Sequence, residues 1–270
     1  MSIKVGKVVR HGKAPYQAAL LHGGPGACGE VGPLACELET LTGRGILEPW
    51  QTADSIEGQV TELKRQLEMH ATGPLTLAGY SWGAWLALIF AARYPLSVKK
   101  LLLLSSGPLD ERYAATVEKL RGSRLSNEER INFAASLKAL RESSGEVERR
   151  AALERLHVLS ERCDCFDALP PDECERSAVV FRSDVYEKVW SEAAKMRREG
   201  VLLECISLIR CPVIALHGDH DPHPAEGVRR PLEDRLADVK FIELKDCGHI
   251  PWQERLARDE YLRRLSVALL

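Results

Sequence analysis

Three side chains that could together open an acyl bond stand on glycine-bearing turns of this chain. Ser81 is the centre of Gly79-Tyr80-Ser81-Trp82-Gly83, a G-x-S-x-G pattern. His249 follows Gly248 near the carboxyl end, and Asp221 closes the run Gly218-Asp219-His220-Asp221. A serine hydroxyl is a poor nucleophile at neutral pH and needs a base with a pKa near 7, which histidine supplies. A carboxylate must then fix the imidazole tautomer and stabilise its protonated form. The oxyanion that forms on attack needs preorganised donors, worth roughly 3 to 4 kcal/mol each. Candidate donors are the backbone N–H of Trp82 and that of Gly24, in His22-Gly23-Gly24-Pro25-Gly26, where Pro25 has none to offer.

Such groups need elements to aim them. Pro74 to Ala78 is a short apolar run that reads as a buried strand, and Ala84 to Arg93 reads as a buried helix. A serine between strand and helix with no loop residues must sit on a very tight turn. The turn leaves little room for β-carbons two residues to either side, hence Gly79 and Gly83. Further strands are expected at Ile3 to Val9, Tyr16 to Leu21, Gly43 to Pro49 (weaker), Val98 to Leu104, Cys211 to His217 and Val239 to Leu244. Helices are expected at Ser55 to His70, with Ile56, Val60, Leu63 and Leu67 on one face, at Ala225 to Leu236 and at Trp252 to Leu270. Alternating, mostly apolar strands and helices imply an α/β fold with a mostly parallel central sheet flanked by helices. In open parallel sheets, ligands sit beyond the carboxyl ends of the strands, where all these polar turns fall.

The alternation breaks once. Residues 108–204 read as charged amphipathic helices without a clear strand, which makes them an inserted all-helical cap over a core of 1–107 and 205–270. Ser126-Asn127-Glu128-Glu129 and Ser143-Ser144-Gly145-Glu146 have the capping-box form. Ser183 is expected to cap a last helix through Trp190 to Arg198, stopped by Gly200.

The 270 residues carry a formal net charge of −2, with 45% hydrophobic and 28% charged residues, a globular balance that gives nucleic acid or an anionic membrane no electrostatic reason to bind. No apolar run approaches the roughly 20 residues of a membrane span, and Met1 to Lys7 has no apolar signal region, so a cytoplasmic protein is expected. The 8 cysteines then read as free thiols. Cys163-Asp164-Cys165 with Cys174 lacks the paired spacing of a zinc site, and His217, His220 and His223 read as flanking a turn, so no metal and no cofactor is expected.

The chain resembles the α/β-hydrolase superfamily. His22-Gly23-Gly24-Pro25-Gly26 together with Ser81-Trp82-Gly83 looks like its proline-iminopeptidase branch, over residues 1–107 and 205–270. The order Ser, Asp, His is that expected of an α/β-hydrolase triad. The resemblance implies Ser81, Asp221 and His249 as catalytic residues, with Gly24 and Trp82 forming the oxyanion hole. Asp219 competes with Asp221, and the family's G-x-x-D spacing from Gly218 favours Asp221. His22 is expected to order the oxyanion loop. Trp82, Trp190 and Trp252 could line an apolar pocket, whereas Trp85 and Cys247 read as packing. Two features depart from the branch. Glu48-Pro49-Trp50-Gln51 stands where it usually has Asp-Gln-Arg-Gly, and only Glu187 and Glu192 suggest themselves as cap carboxylates for a substrate's free amine. Carboxylesterase and aminopeptidase action on a small molecule or short peptide both stay open, as does a ligand receptor with an idle triad.

Overall fold

The structure is a computed structural model that describes residues 6–143, 145–170 and 179–270. Its main sheet runs β1 (Val8–His11), β4 (Gly45–Pro49), β2 (Tyr16–Leu21), β5 (Leu75–Tyr80), β6 (Val98–Leu104), β8 (Val213–Gly218), β9 (Val239–Leu244) in spatial order. Only the β1–β4 pairing is antiparallel; every other neighbouring pair is parallel. All six residues of β5 are buried, as a strand covered on both faces requires.

Helices cover both faces. One face packs α2 (Ile56–His70), α3 (Trp82–Arg93) and α9 (Glu226–Glu233), with the predicted Ile56, Val60, Leu63 and Leu67 inward. The other packs α1 (Gly32–Thr42) and α10 (Arg258–Leu269). Between β6 and β8 the described residues form α4 (Ala114–Arg124), α5 (Asn127–Glu142), α6 (Glu146–Asp164), α7 (Ser183–Arg198) and α8 (Val201–Ser207), and among them none adds a strand to the main sheet. Helices α5 and α6 share a small core of Leu140, Ala152, Leu153 and Leu156, while α7 and α8 pack onto α2 and α3.

Several expectations need correction. The strand placed at Ile3 to Val9 is described from Val8 to His11, and residues 1–5 lie outside the described residues. Helix α1 was not anticipated: it starts on Val31 without a side-chain cap, and only Leu34, Ala35 and Leu38 are buried, too few to mark a period. Ser126 forms the expected capping box with Glu129, but Ser143 ends α5, and α6 starts from Gly145 without a side-chain cap. Ser183 is the first residue of α7, not its cap. The last helix begins at Arg258, after a 3-10 turn at Pro251–Gln253, because the backbone turns extended at Glu254 (ψ 125) and breaks the helical run. The helical stretch also holds a strand, β7 (Val180–Phe181), antiparallel to β3 (Ala27–Cys28) just past the glycine run at 23–26.

The elbow itself is as tight as its glycines require. Ser81 has φ 52 and ψ −113, a conformation that non-glycine residues rarely hold. A β-carbon on Gly79 would lie 2.1 Å from the Gly83 carbonyl oxygen, and one on Gly83 would lie 2.6 Å from the carbonyls of Leu21 and His22. Gly79→Ala is expected to lower unfolding free energy by about 3 kcal/mol, the upper range for overpacking. Gly73, at φ +76 with open space around it, is the comparison. Gly73→Ala should cost only the left-handed penalty of about 1 kcal/mol. Urea denaturation of both variants checks the difference, and equal losses would mean that the close approach is not what demands Gly79.

Candidate active site

Ser81 sits where β5 ends and α3 begins, at the centre of the sheet. Its N–H donates to the Leu104 carbonyl at 2.9 Å, which ties the elbow to the end of β6. Strand β8 ends at Gly218, whose missing β-carbon would lie 2.1 Å from the Cys247 carbonyl, so the turns carrying Asp221 and His249 are pressed together. The result joins the three sequence candidates. His249 Nε2 is 3.0 Å from Ser81 Oγ, and His249 Nδ1 is 2.8 Å from Asp221 Oδ2. Ser81 is half-buried, whereas Asp221 and His249 are buried. With Asp221 accepting at Nδ1–H, His249 Nε2 is left as the acceptor for the serine proton. Asp219 is used elsewhere: its Oδ1 accepts the Cys247 N–H at 3.2 Å.

Asp221 holds a second imidazole, that of His223, which the sequence places beside the turn but does not pair with the carboxylate. Its Oδ1 accepts the N–H of His223 at 2.8 Å and lies 2.7 Å from His223 Nδ1. Burial works to raise the Asp221 carboxyl, but His249, His223 and His217 outweigh it and hold it well below the usual carboxylate range. Burial likewise works to lower His249, and the Asp221 charge and hydrogen bond overcome it, so the base is raised. His217 donates through Nε2 to the His223 carbonyl at 2.7 Å, and His220 packs edge-on against Phe166. Among the described residues, Asp221, His223 and His249 are the group whose donor atoms could converge on a metal ion. Their contacts of 2.7 and 2.8 Å are those of hydrogen bonds. Ligands around a tetrahedral zinc stand farther apart, at about 3.4 Å. Cys174 of the cysteine run lies outside the described residues, and Asp164 is paired with Arg121, its Oδ1 2.7 Å from Arg121 Nε.

The oxyanion candidates flank the serine. Trp82 opens α3, where the first N–H groups have no intrahelical partner. The contact of Gly83 with Leu21 and His22 sets the loop carrying Gly24 against that same first turn. His22 is fully buried: its Nδ1 lies 2.7 Å from the Gly23 carbonyl, and its Nε2 accepts the Gln51 N–H at 3.2 Å, while Gln51 Nε2 donates back to the His22 carbonyl at 3.2 Å. Gln51, from the segment that departs from the branch pattern, is therefore the brace of this loop. Glu62 supports Gln51's neighbours by accepting the N–H of Thr52 and Ala53.

The tryptophans divide. The Trp82 side chain is buried and donates to Gln59 Oε1 at 3.2 Å. Trp252 is buried edge-on against Tyr80, with ring centres 4.6 Å apart, and Tyr80 in turn meets His249 at 5.1 Å. Trp190 is partly exposed and stacks between Trp85, at 5.9 Å, and Tyr186. Of the cap carboxylates, Glu192 accepts the Ile56 N–H at 2.8 Å at the start of α2, and Glu187 is exposed. A carboxyl not singled out in the sequence, Glu30, lies beside Gly23 and Tyr80. Burial raises its pKa, against the pull of His157 and His249. Burial also raises the Cys247 thiol, which makes it a packing group and no nucleophile.

Burial lowers both His22 and His223 to about 4 from the ordinary 6.5. Between those pH values the folded state binds fewer protons than the unfolded chain, so stability rises with pH across the window and is fully present above it. Each histidine contributes about 3 kcal/mol at most. His249, raised, acts with the opposite sign. Chemical denaturation as a function of pH should show stability falling from pH 6.5 toward 4, with a shallower slope in His22→Gln; an unchanged slope would mean His22 is not neutral in the fold.

No curated protein matches the sequence. Among solved structures, VinJ superposes with a TM-score of 0.69 at 19% identity, covering 97% of this chain and 95% of that one. A monoacylglycerol lipase of Paleococcus ferrophilus gives 0.62 at 16% identity, covering 98% of each chain. A proline iminopeptidase of Mycobacterium smegmatis gives 0.61 at 17%, covering 97% and 93%. These likenesses carry the fold alone. Residues 48–254 match the family described as alpha/beta hydrolase fold, and the chain belongs to that family.

Proposed function

We propose that the protein is a serine hydrolase that cleaves a small ester or amide through an acyl-enzyme. The observation that carries this reading is the unbroken chain Ser81 Oγ, His249, Asp221, at 3.0 and 2.8 Å. His249 Nε2 takes the Ser81 proton as Oγ attacks the substrate carbonyl. Asp221 keeps the proton on Nδ1 and stabilises the imidazolium. The N–H groups of Trp82 and Gly24 receive the oxyanion, the protonated His249 gives its proton to the leaving group, and water is then activated by the same base. Residues 108–204 act as a cap over the serine, and Trp190 and Trp252 belong to the walls of the substrate site. Among the described residues no helix is long and apolar enough to cross a membrane. The described cysteines are all free thiols, which supports work in the reducing cytoplasm.

A proline-iminopeptidase-like aminopeptidase is the second reading, and Glu30 favours it. A carboxyl held half-buried beside the oxyanion loop, with Glu161 and His157 of α6 near it, would gain from a substrate ammonium group. A ligand receptor with an idle triad is the reading that activity assays would remove.

Ser81→Ala is expected to lower kcat by about 10⁴-fold or more, and Asp221→Asn by about 10⁴-fold, with KM little changed. Nitrophenyl esters and aminoacyl amides assayed side by side separate the two enzyme readings. Turnover of amides with a free amine alone, reduced roughly 10- to 100-fold in Glu30→Gln, would establish the aminopeptidase and sink the esterase. Equal loss on amine-bearing and amine-free substrates would remove Glu30 from amine binding.

A further inference from the structure

The loop that carries His249 is gripped by the helical insertion. Segment 164–169, at the end of α6, lies along residues 248–255. Glu254 is fully buried between them: its Oε1 accepts the N–H of Gly248 at 2.7 Å and of Phe166 at 2.8 Å, and its Oε2 accepts the N–H of Asp167 at 2.8 Å. The backbone continues the grip. The His249 N–H donates to the Asp164 carbonyl at 2.8 Å, Leu169 N–H to Gln253 at 2.7 Å, and Arg255 N–H to Asp167 at 2.9 Å. Gly248 has no room for a side chain, since a β-carbon would lie 2.1 Å from the Asp164 oxygen and 2.6 Å from the Cys165 Cα. Asp164 is itself fixed by the Arg121 fork from α4.

We infer that Glu254 is a positioning residue for the triad, which sets His249 by clamping its loop to segment 164–169, so that the insertion is part of the catalytic machinery as well as a cover. Its catalytic consequence rests on the serine-hydrolase reading above. The physical reason is the donor count. An ionised carboxylate accepts at both oxygens, and here one group serves three backbone N–H donors on two separate segments. Glutamine has the same shape, and with its carbonyl oxygen in the Oε1 place it still bridges Gly248 and Phe166 and leaves only the Asp167 N–H facing an NH₂; alanine removes all three acceptors and opens the clamp. His249 then loses the Asp164 carbonyl that fixes its backbone, and its imidazole loses its aim at Ser81 and Asp221. Glu254 touches neither the serine nor a substrate; it acts through the loop. The oxyanion side is gripped in a parallel way, by Arg182 N–H on the Gly26 carbonyl at 2.8 Å and the β3–β7 pairing.

Two measurements on the full chain test this. In the unaltered protein, amide hydrogen exchange at Gly248, His249, Phe166 and Asp167 should report one common opening free energy, as for a single cooperative unit. Exchange at Phe166 and Asp167 well ahead of Gly248 and His249 would overturn the clamp, whatever any variant does. In Glu254→Ala, the pre-steady-state burst with p-nitrophenyl acetate should slow by roughly 10- to 100-fold with KM almost unchanged, because aim and not binding is lost, and Glu254→Gln, which can keep the Gly248–Phe166 bridge, should slow it far less. An unaltered burst rate in Glu254→Ala, or a change confined to KM, would overturn the inference. If the unaltered protein turns over neither p-nitrophenyl acetate nor an aminoacyl amide faster than Ser81→Ala does, the serine-hydrolase reading fails, and the exchange pattern still decides whether the clamp exists.

Discussion

The close approach of Gly79 to the Gly83 carbonyl is the constraint on which the site depends. A β-carbon at Gly79 would stand 2.1 Å from that oxygen, so the chain can turn from β5 into α3 within one residue only if nothing projects there. The residue at the apex, Ser81, takes up the strain at φ 52 and is thereby pushed out beyond the strand ends. The same turn seats Gly83 against the end of β2, which brings the glycine loop at 23–26 to the first turn of α3. Serine, glycine loop and helix terminus thus come from one steric solution. The buried ten-residue run of α3 from Trp82 to Ala91 anchors it in the core.

Charge organises the other half of the site. A single buried carboxylate, Asp221, accepts from two imidazoles of opposite tendency. His249 is raised by the Asp221 charge against the effect of burial, while for His223 burial prevails and lowers it. The first is therefore the group suited to take a proton, and the second stays a neutral donor that holds the carboxylate in place. Around this pair the insertion closes from both sides, through β7 beside the glycine loop at 23–26 and through segment 164–169 on the histidine loop. The insertion thus holds the loops that flank the serine.

Legibility in the sequence followed the range of the interaction. The elbow glycines, Ser81, His249 and Asp221 were readable because their chemistry is carried by residue type on adjacent turns, and the apolar strands placed those turns at one sheet edge. His22 was readable as a brace for the loop it begins, but its partner Gln51 was not, since it arrives from 29 residues away. Glu254 meets Phe166 across 88 residues and looks in sequence like any surface carboxylate of a charged helix start. Glu30 was hidden in the same way, and His223 was legible only as a neighbour of the Asp221 turn: burial gives them their character, and burial of a lone polar residue leaves no period to read. Trp252 was readable as an aromatic near the site, though its packing against Tyr80 belongs to the fold.

Covalent trapping of the serine tests the central claim most directly. The folded protein, treated with a fluorophosphonate and digested, should carry one adduct, on the peptide containing Ser81, and Ser81→Ala and His249→Ala should take up none under the same conditions. An adduct on another residue, or uptake by wild type no faster than by Ser81→Ala, would contradict the assignment of Ser81 as an activated nucleophile.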